Sequence, residues 1–346
     1  MADLRLTALL TAAIAATLVV GCQEPETGPV APADSVPMPA RGFYMGVLPM
    51  PASGQSFDSV YAQASASCEF VPVWGRPTSF YELADDLKGD WGKTFVDELV
   101  RDKGMFPLVQ MSFMDTGMTL KTPPGMSGAT LADSAWRAAY RQAALDIVRA
   151  CRPRYISIGN EVNRWYEKHG TSGLNGFQNY VSLFCDMYDT LKVLSPGIVV
   201  FCTFAREMVD ENREADLSVL SFFPADKLDL LVFTSYPHAV QGRNRPESIP
   251  DDYYSRVLNI VPGKLVGFTE VGWPSATEFG GEQGQADFIV ALGGRLTRGQ
   301  GIGLHLVGWP WLHDLDAGDH TGLIRQDGTE KPAYEEWKRL SAGPAD

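Results

Sequence analysis

Eight short apolar runs recur along the chain, and segments with helical spacing of apolar residues lie between them. The runs begin roughly 25–50 residues apart, the length of one strand, one helix and two loops. The predicted strands are Phe43–Leu48, Glu69–Trp74, Phe106–Ser112, Tyr155–Asn160, Ile198–Phe204, Leu228–Ser235, Leu265–Glu270 and Gly303–Trp309. Alternating strands and helices indicate a parallel sheet, and eight such units predict a closed (β/α)8 barrel, the TIM-barrel architecture of the α/β class.

Two of the intervening segments show the helical period clearly. Apolar residues recur at helical spacing from Asp133 to Ala150, and Pro153 follows shortly after. The segment from Asn175 to Leu194 has the same period, with Asn175 as a candidate N-cap. Both patterns predict amphipathic helices whose aromatic residues pack in the core.

Residues 1–22 have the pattern of a targeting segment. Arg5 precedes an apolar run from Leu6 to Val20, which is shorter than the roughly 20 residues that span a bilayer. The run leads to Gly21 and Cys22, which resembles a bacterial lipoprotein signal with Cys22 as the lipidated residue. The alternatives are an ordinary secretory signal or an uncleaved anchor. We therefore expect an exported lipoprotein, in the periplasm or at the cell surface.

Residues 23–41 form a Pro/Ala-rich segment without hydrophobic periodicity. This composition predicts an extended, disordered linker between the membrane anchor and a folded domain. Residues 42–346 show no internal repeat and no further boundary, so we expect them to form one catalytic barrel domain.

Charge and motifs exclude several classes of function. The chain of 346 residues has a net charge of −13, which disfavours nucleic acid and purely electrostatic binding to anionic lipid. Glycine-rich nucleotide motifs and the HExxH zinc motif are absent from the sequence. The acidic run from His313 to His320 does not follow the EF-hand spacing. We expect no cofactor and no metal, contact with a membrane only through Cys22, and a monomer.

Four cysteines follow Cys22 and leave two interpretations open. In an exported protein they could form two disulfides in any of three pairings. They could instead be small buried apolar side chains, which their places in predicted strands and helix faces favour slightly. The four are Cys68, Cys151, Cys185 and Cys202.

Two glutamates end predicted strands. Glu161 follows the fourth strand in YISIGNEVN, and Glu270 ends the seventh in KLVGFTEVGWPS. Ile156 and Ile158 are expected to face the helices, so Glu161 has the inward parity at the barrel mouth. An unpaired charge cannot stabilise a core, whereas the loops at this end of a barrel build its site. Two such carboxylates can cleave a glycosidic bond, and a structural ion pair is the alternative for each alone.

These positions resemble a known group of enzymes. Asn160 and Glu161 at the end of strand four, with Glu270 ending strand seven, resemble the retaining β-glycosidases of glycoside hydrolase clan A, which are (β/α)8 barrels. In that clan the strand-four glutamate is the acid/base and the strand-seven glutamate is the nucleophile. The segment Thr269–Ser275 is most similar to the nucleophile motif of glycoside hydrolase family 17, the β-1,3-glucanases. The C-terminal GLIRQDGTEKPAYEEWKRL resembles the last barrel segment of several families of the clan, including β-galactanases.

The resemblance also implies three substrate-binding roles. Asn160 would bind the 2-hydroxyl of the sugar. Tyr236, in the sixth strand segment, would hold Glu270 and modulate its charge. Trp309, at the end of strand eight, would lie beneath the reacting sugar. For Tyr236 and Trp309, a place in the core is the alternative.

Further candidates follow strand ends, where loops build the site. Trp74 and Trp273 offer aromatic faces that can pack on the C–H faces of pyranose rings. Arg76 and His238 could bind sugar hydroxyls, with an ordinary loop role as the alternative. Trp165 and Trp311 also follow strands, and a role in capping the core is expected most readily for Trp311.

The sequence therefore predicts a retaining O-glycosyl hydrolase that cleaves a β-linked poly- or oligosaccharide, β-1,3-glucan or a related β-glycan, through two glutamates. A carboxyl separation of about 5–5.5 Å would accompany retention, whereas about 6.5–9.5 Å would accompany inversion. Two alternatives remain open at this point. They are a transglycosylase on the same scaffold and a glycan-binding lipoprotein without catalysis.

Overall fold

The computed structural model describes residues 28–73, 79–115, 117–316 and 318–343. A parallel sheet runs through them, and its strands follow one another around the barrel in chain order. They are β1 (Tyr44–Val47), β2 (Phe70–Val73), β3 (Phe106–Gln110), β4 (Tyr155–Ser157), β5 in two segments (Val199–Phe201 and Thr203–Ala205), β6 (Leu231–Ser235), β7 (Val266–Val271) and β8 (Leu304–Trp309).

The sheet closes through β5. The first segment of β5 pairs with β4 and the second pairs with β6, so both ends of the sheet belong to one short stretch of chain. β1 pairs with β2 on one side and with β8 on the other. The (β/α)8 TIM-barrel prediction is confirmed, with all eight strands at the expected places.

Among the described residues, seven α-helices surround the sheet, and two of them, α3 and α5, confirm the predicted helical segments. α3 begins after Asp133, and it ends at Arg152, whose left-handed backbone precedes Pro153. Short 3-10 turns and a two-stranded ribbon, Glu207–Met208 with Arg213–Glu214, follow β5 in place of a full helix. The helices are α1 (Phe57–Ser65), α2 (Phe80–Lys88), α3 (Ser134–Cys151), α4 (Val162–His169), α5 (Phe177–Leu194), α6 (Gly281–Gly293) and α7 (Pro332–Ala342).

The core has two layers because each strand is buried on both faces. The larger layer lies between sheet and helices and includes Ile156 and Ile158, as predicted. A smaller layer fills the barrel interior, which is therefore a packed core. In such a barrel the functional site lies at the loops after the carboxyl ends of the strands. Its buried members are Tyr44, Phe70, Phe106, Leu108, Tyr155, Phe201, Leu230, Val232 and Leu306.

Residues 28–41, which we call the N-terminal arm, lie against the end of the barrel where the strands begin. The Val30 N–H donates to the carbonyl of Leu194 at the end of α5, at 2.7 Å. The Asp34 carboxylate accepts from the N–H of Arg154, just before β4, at 3.0 Å. The prediction of an extended, disordered linker is therefore wrong for the arm, because its polar groups find partners on the barrel.

The targeting segment and Cys22 lie outside the described residues, so the lipoprotein signal remains a prediction. In the part of the chain that the structure describes, no helix combines the length and apolar character needed to cross a membrane.

The four predicted core or disulfide cysteines are free thiols. Cys68, Cys151 and Cys202 are buried, whereas Cys185 is partly exposed. This arrangement supports the interpretation of the three buried residues as small apolar side chains.

Candidate active site

Glu161 lies directly after β4, at the turn into α4. Its backbone is left-handed, with φ 48° and ψ 46°, a conformation that costs a non-glycine residue about 1–3 kcal/mol. Thr203 of β5 holds this turn: its hydroxyl accepts from the Glu161 N–H at 2.8 Å and donates to Oδ1 of Asn160 at 2.6 Å. The neighbouring strand therefore offsets the strain and fixes the direction of the Glu161 side chain.

Glu270 faces the barrel mouth because β7 contains a β-bulge. Val266 and Phe268 pack in the layer between sheet and helices, so regular alternation would direct Glu270 to that layer as well. The register with β6 shifts between Phe268 and Glu270, which leaves Thr269 as the extra residue. The bulge reverses the alternation and turns Glu270 inward.

The end of β6 brings the two glutamates together. The Thr234 hydroxyl donates to Oε1 of Glu161 at 2.6 Å, and the Tyr236 hydroxyl donates to Oε2 of Glu270 at 2.8 Å. These donors are two residues apart in the chain, so the two carboxyl groups converge on one strand end. The negative charge of Glu161 also raises the pKa of Glu270, which places the groups within electrostatic reach of each other.

Glu270 titrates near neutral pH. Its pKa rises from the usual 4.5 to about 7, mainly because the carboxyl group is buried and further because of the charge of Glu161. The hydrogen bond from Tyr236 opposes this rise. Burial and the charge of Glu270 hold the pKa of Tyr236 well above its usual value, so Tyr236 remains a donor at physiological pH.

An arginine binds the second oxygen of Glu161. Arg164, in the first turn of α4, donates from Nη1 to Oε2 of Glu161 at 2.9 Å. Its Nη2 lies 3.3 Å from Oδ2 of Asp210, in the 3-10 turn after β5. Sequence reasoning missed Arg164, although its position three residues after Glu161 on a helix was a visible signal.

A third carboxylate, Glu207, lies behind Tyr236. Its Oε2 accepts from the Tyr236 N–H at 2.6 Å, and its Oε1 accepts from the hydroxyls of Ser235 at 2.9 Å and Tyr253 at 2.5 Å. Burial raises the pKa of Glu207, and the neighbouring Arg206 opposes that effect. Glu207 therefore holds the backbone that carries Tyr236. The short ribbon that contains Glu207 gave no sequence signal.

Trp309 and Trp273 are fully buried, with 0% exposure. The Trp309 ring lies 6.0 Å from that of Trp337 on α7, and its Nε1 donates to the Thr321 carbonyl at 2.8 Å. Nε1 of Trp273 donates to the Phe279 carbonyl at 2.9 Å. The prediction that these two rings contact a sugar is wrong, because both side chains pack in the layer between the sheet and the helices.

Trp311, expected to cap the core, is partly exposed beyond β8. A Cβ on Gly272 would lie 3.0 Å from Tyr236 and 3.1 Å from Pro310, so the rings of these two residues are neighbours. Trp311 follows Pro310 directly and therefore comes from the same rim of the barrel as Tyr236.

His238 lies beside Tyr236, with ring centroids 6.1 Å apart. It lines a cavity of about 420 Å³ after β6, together with Phe279 and Asn244. Burial lowers the pKa of His238 to about 4, so its ring is neutral at physiological pH. Its Nδ1 is buried and has no hydrogen-bond partner among the described residues.

The remaining predicted residues lie in a gap. Trp74 and Arg76 belong to residues 74–78, outside the described part of the chain, and their roles remain predictions.

In the acidic run after β8, Asp314 pairs with the buried Lys331 at 2.7 Å. Within the described residues, no cluster of three or more His, Cys, Asp or Glu side chains is suited to a metal ion.

Comparisons with known proteins give structural relatives but no sequence relatives. No family model matches the chain. No curated protein matches its sequence either. The fold, however, is similar to several solved structures of glycoside hydrolases.

A GH5_18 variant from Bifidobacterium longum subsp. longum ATCC 55813, solved in complex with Manβ1-4GlcNAc, has a TM-score of 0.62 and 16% identity over 88% of this chain and 80% of its own. A family 39 glycoside hydrolase from Bacteroides cellulosilyticus WH2 has a TM-score of 0.59 and 18% identity, covering 87% and 64%. Xylanase 10B from Thermotoga maritima has a TM-score of 0.59 and 12% identity, covering 87% and 95%.

These similarities establish the barrel fold shared by clan A glycoside hydrolases. They extend over most of the chain, at sequence identities too low to transfer an activity. Families 5, 39 and 10 are represented among these structures, and the narrower resemblance of Thr269–Ser275 to the family 17 nucleophile motif finds no support in them.

Proposed function

We propose that the protein is a retaining O-glycosyl hydrolase acting on β-linked poly- or oligosaccharides. The observation that supports this most strongly is the convergence of Glu161 and Glu270, from β4 and β7, on side chains at the end of β6. A pair of carboxyl groups at the mouth of a barrel is what glycoside hydrolysis requires. The fold similarity to a family 39 glycoside hydrolase and to a xylanase adds support.

The proposed reaction has two displacements. The Glu270 carboxylate attacks the anomeric carbon while Glu161 gives its proton to the leaving oxygen, which forms a glycosyl-enzyme ester. Glu161, now a carboxylate, removes a proton from water as the water oxygen attacks the same carbon. The ester bond to Glu270 breaks, and the product leaves with its original anomeric configuration.

Three residues are the proposed sugar contacts. Oδ1 of Asn160 is bound by Thr203, which orients the amide so that its nitrogen can donate to the 2-hydroxyl. Trp311 takes the role of aromatic platform that the resemblance assigned to Trp309. Neutral His238, which lines the cavity after β6, is the third proposed contact, to a further hydroxyl.

The proposed substrate is a β-1,3-glucan or a related β-glycan. A β-mannoside also belongs in the test, because a structural relative is described in complex with Manβ1-4GlcNAc. A transglycosylase would use the same two glutamates and differ in the acceptor of the glycosyl group. Products longer than the substrate would identify that reaction.

The test is incubation of the full-length protein with laminarin, galactan, mannan and aryl β-glycosides. We expect reducing sugar from at least one of them, and NMR of the first product should show the β-anomer. Glu270→Gln is the matched control without a nucleophile. Measurable glycan binding with no product on any substrate would instead identify a binding protein.

We also propose that the protein is exported and held on a membrane through lipidated Cys22. The short apolar run that ends at Gly21 and Cys22 supports this proposal. Mass spectrometry of the membrane fraction tests it: the mature N-terminus should be Cys22 carrying acyl chains, and Cys22→Ser should release the protein from the membrane.

A further inference from the structure

The proposed double displacement needs a proton on Glu161 and none on Glu270, and the following inference rests on that function. Both oxygens of Glu161 accept hydrogen bonds, Oε1 from Thr234 at 2.6 Å and Oε2 from Arg164 at 2.9 Å. A guanidinium has donors and no acceptor, so a proton on Oε2 would face another donor. The contact with Arg164 therefore favours the ionised form of Glu161.

Glu270 has the opposite surroundings. Among the described residues its hydrogen-bond partner is the neutral hydroxyl of Tyr236, and no cation lies against it. Burial and the charge of Glu161 together raise its pKa to about 7. A proton on Glu270 would block nucleophilic attack.

We infer that Arg164 determines which of the two glutamates carries the shared proton, and that it must leave Oε2 of Glu161 before the first chemical step. The proton then passes from Glu270 to Glu161. Glu270 becomes the carboxylate nucleophile and Glu161 becomes the acid, while the total charge of the pair is unchanged. Arg164 acts through Glu161 and is therefore a positioning residue.

Arg164 has a second carboxylate to which it can move. Its Nη2 already lies 3.3 Å from Asp210, whose side chain is 85% exposed. Both residues line a cavity of about 410 Å³, together with Glu167 and Lys168. Arg164 connects this cavity to Glu161, the proposed acid, so the inference assigns the cavity to the leaving group. A sugar that enters it offers Arg164 hydroxyl acceptors in place of Glu161.

The other titratable groups around the pair do not explain the location of the proton. In the described part of the chain they are Tyr236 after β6, Asp210 after β5 and Glu207 behind Tyr236. The two carboxylates would favour protonation of their neighbours, and the phenol remains neutral. Arg164 is the cation in direct contact with Glu161.

Carboxyl ¹³C NMR of the full-length protein without substrate tests this inference, with Glu161→Gln and Glu270→Gln used to assign the two signals. In the wild type, the signal of Glu270 should carry the upper titration step, near pH 7. In Arg164→Gln the upper step should move to the signal of Glu161, because the adjacent opposite charge is gone.

Arg213→Gln is the matched control. It removes an arginine from the same cavity that pairs with Glu167 and Glu211, and it should leave the upper step on Glu270. An upper step that stays on Glu270 in Arg164→Gln would overturn the inference, whether or not the protein cleaves a glycan. The same change in both variants would also overturn it, because net charge and not contact would then be the cause.

Kinetics provide a second readout. For an alkyl β-glycoside, which needs an acid, the alkaline limb of kcat/KM should move up by about one pH unit or more in Arg164→Gln. For a dinitrophenyl β-glycoside, which needs none, that variant should not gain activity at alkaline pH. Equal losses on both substrates with unmoved pH limbs would mean that Arg164 is only a structural residue.

Discussion

Two glutamates from different strands can divide the roles of acid and nucleophile only if their surroundings differ. Glu161 has a guanidinium and a threonine hydroxyl as partners, whereas Glu270 is half-buried beside a phenol. Removing each side chain should therefore have a different effect. Glu270→Ala should abolish turnover, and added azide should restore it with an α-glycosyl azide as product, because azide fits the space of the lost carboxylate and attacks the face opposite the leaving group.

Glu161→Ala should lose about 10²–10⁴-fold in kcat/KM on a natural glycan, the usual contribution of a general acid. It should keep activity on dinitrophenyl β-glycosides, whose leaving group needs no proton. Rates and product analysis for both variants check the assignment. Wild-type rates on a natural glycan in both Glu161→Ala and Glu270→Ala would contradict it.

Tyr236 should set the pH at which Glu270 becomes reactive. Glu270 attacks only when ionised, so kcat/KM for a substrate that needs no acid falls as pH drops through about 7. The Tyr236 hydroxyl lowers the pKa of Glu270, and a hydrogen bond to a charged group is worth about 1.5–3 kcal/mol. At about 1.4 kcal/mol per unit, Tyr236→Phe should move this acid limb up by about 1–2 pH units.

The measurement is kcat/KM against pH with a dinitrophenyl β-glycoside, since that substrate does not depend on Glu161 as an acid. Tyr253→Phe serves as the control, because its hydroxyl binds Glu207 and not Glu270. An acid limb that stays in place or moves down in Tyr236→Phe would show that the phenol does not stabilise the ionised form of Glu270.

At the scale of elements, β7 and β8 make one close contact at the bulge that turns Glu270 inward. A Cβ on Gly308 of β8 would lie 2.2 Å from the carbonyl oxygen of Thr269, the extra residue of the bulge. Gly308→Ala should therefore displace the bulge. We expect a loss of about 1–3 kcal/mol in the free energy of unfolding, as for other overpacked sites, together with a lower kcat.

Gly303→Ala is the matched control. Gly303 lies just before the start of β8, whereas Gly308 lies near its end. A Cβ there would meet the end of the Leu265 side chain, which is partly exposed and free to move. Urea unfolding and kcat/KM of both variants give the comparison. If Gly308→Ala had wild-type activity and stability, the bulge would not be what positions Glu270.

The elements are largely predictable from local sequence, whereas the direction of side chains at their ends is not. The period of apolar residues indicates strands and helices, and it places Glu161 and Glu270 at strand ends. The bulge depends on the pairing of β7 with β6, which no local pattern shows. For the same reason the sequence assigns Trp309 to the mouth and Trp311 to the core, the reverse of their observed exposure.

The hydrogen-bond partners of the glutamates are predictable only in part. The family resemblance implies that Tyr236 holds Glu270, and the structure shows that contact. Thr203 and Thr234 lie 42 and 73 residues from Glu161 in the chain, and their contacts follow from the order of strands around the barrel. Identifying them requires the register of β5 and β6 as well as the existence of the strands.

At the scale of the whole molecule, the glutamate pair and the N-terminal arm lie at opposite ends of the barrel. The N-terminal arm binds the end where the strands begin, through Val30 and Asp34. The glutamate pair lies at the end where the strands finish. If Cys22 carries lipid, residues 23–29 separate the membrane from the fixed arm. These residues reach at most about 25 Å when fully extended.

This geometry predicts that the active site faces away from the membrane. α5 supplies two reporter positions because it runs from the end with the glutamate pair to the end that the N-terminal arm binds. It has 18 residues, about 27 Å of helix. Leu174 lies just before its start and Val193 lies in its last turn, with 68% and 76% exposure. A donor dye on Val193→Cys should transfer energy to a lipid-bound acceptor more efficiently than one on Leu174→Cys.

The measurement uses the full-length lipidated protein in vesicles, in a Cys185→Ser background, because Cys185 is the partly exposed thiol of the described residues. Asp34→Ala tests the cause: it removes the carboxylate that binds Arg101 and Arg154, so part of the arm should detach. A longer free tether would then reduce the difference between the two dye positions. Equal transfer from both positions with the arm intact would show that the arm does not orient the barrel.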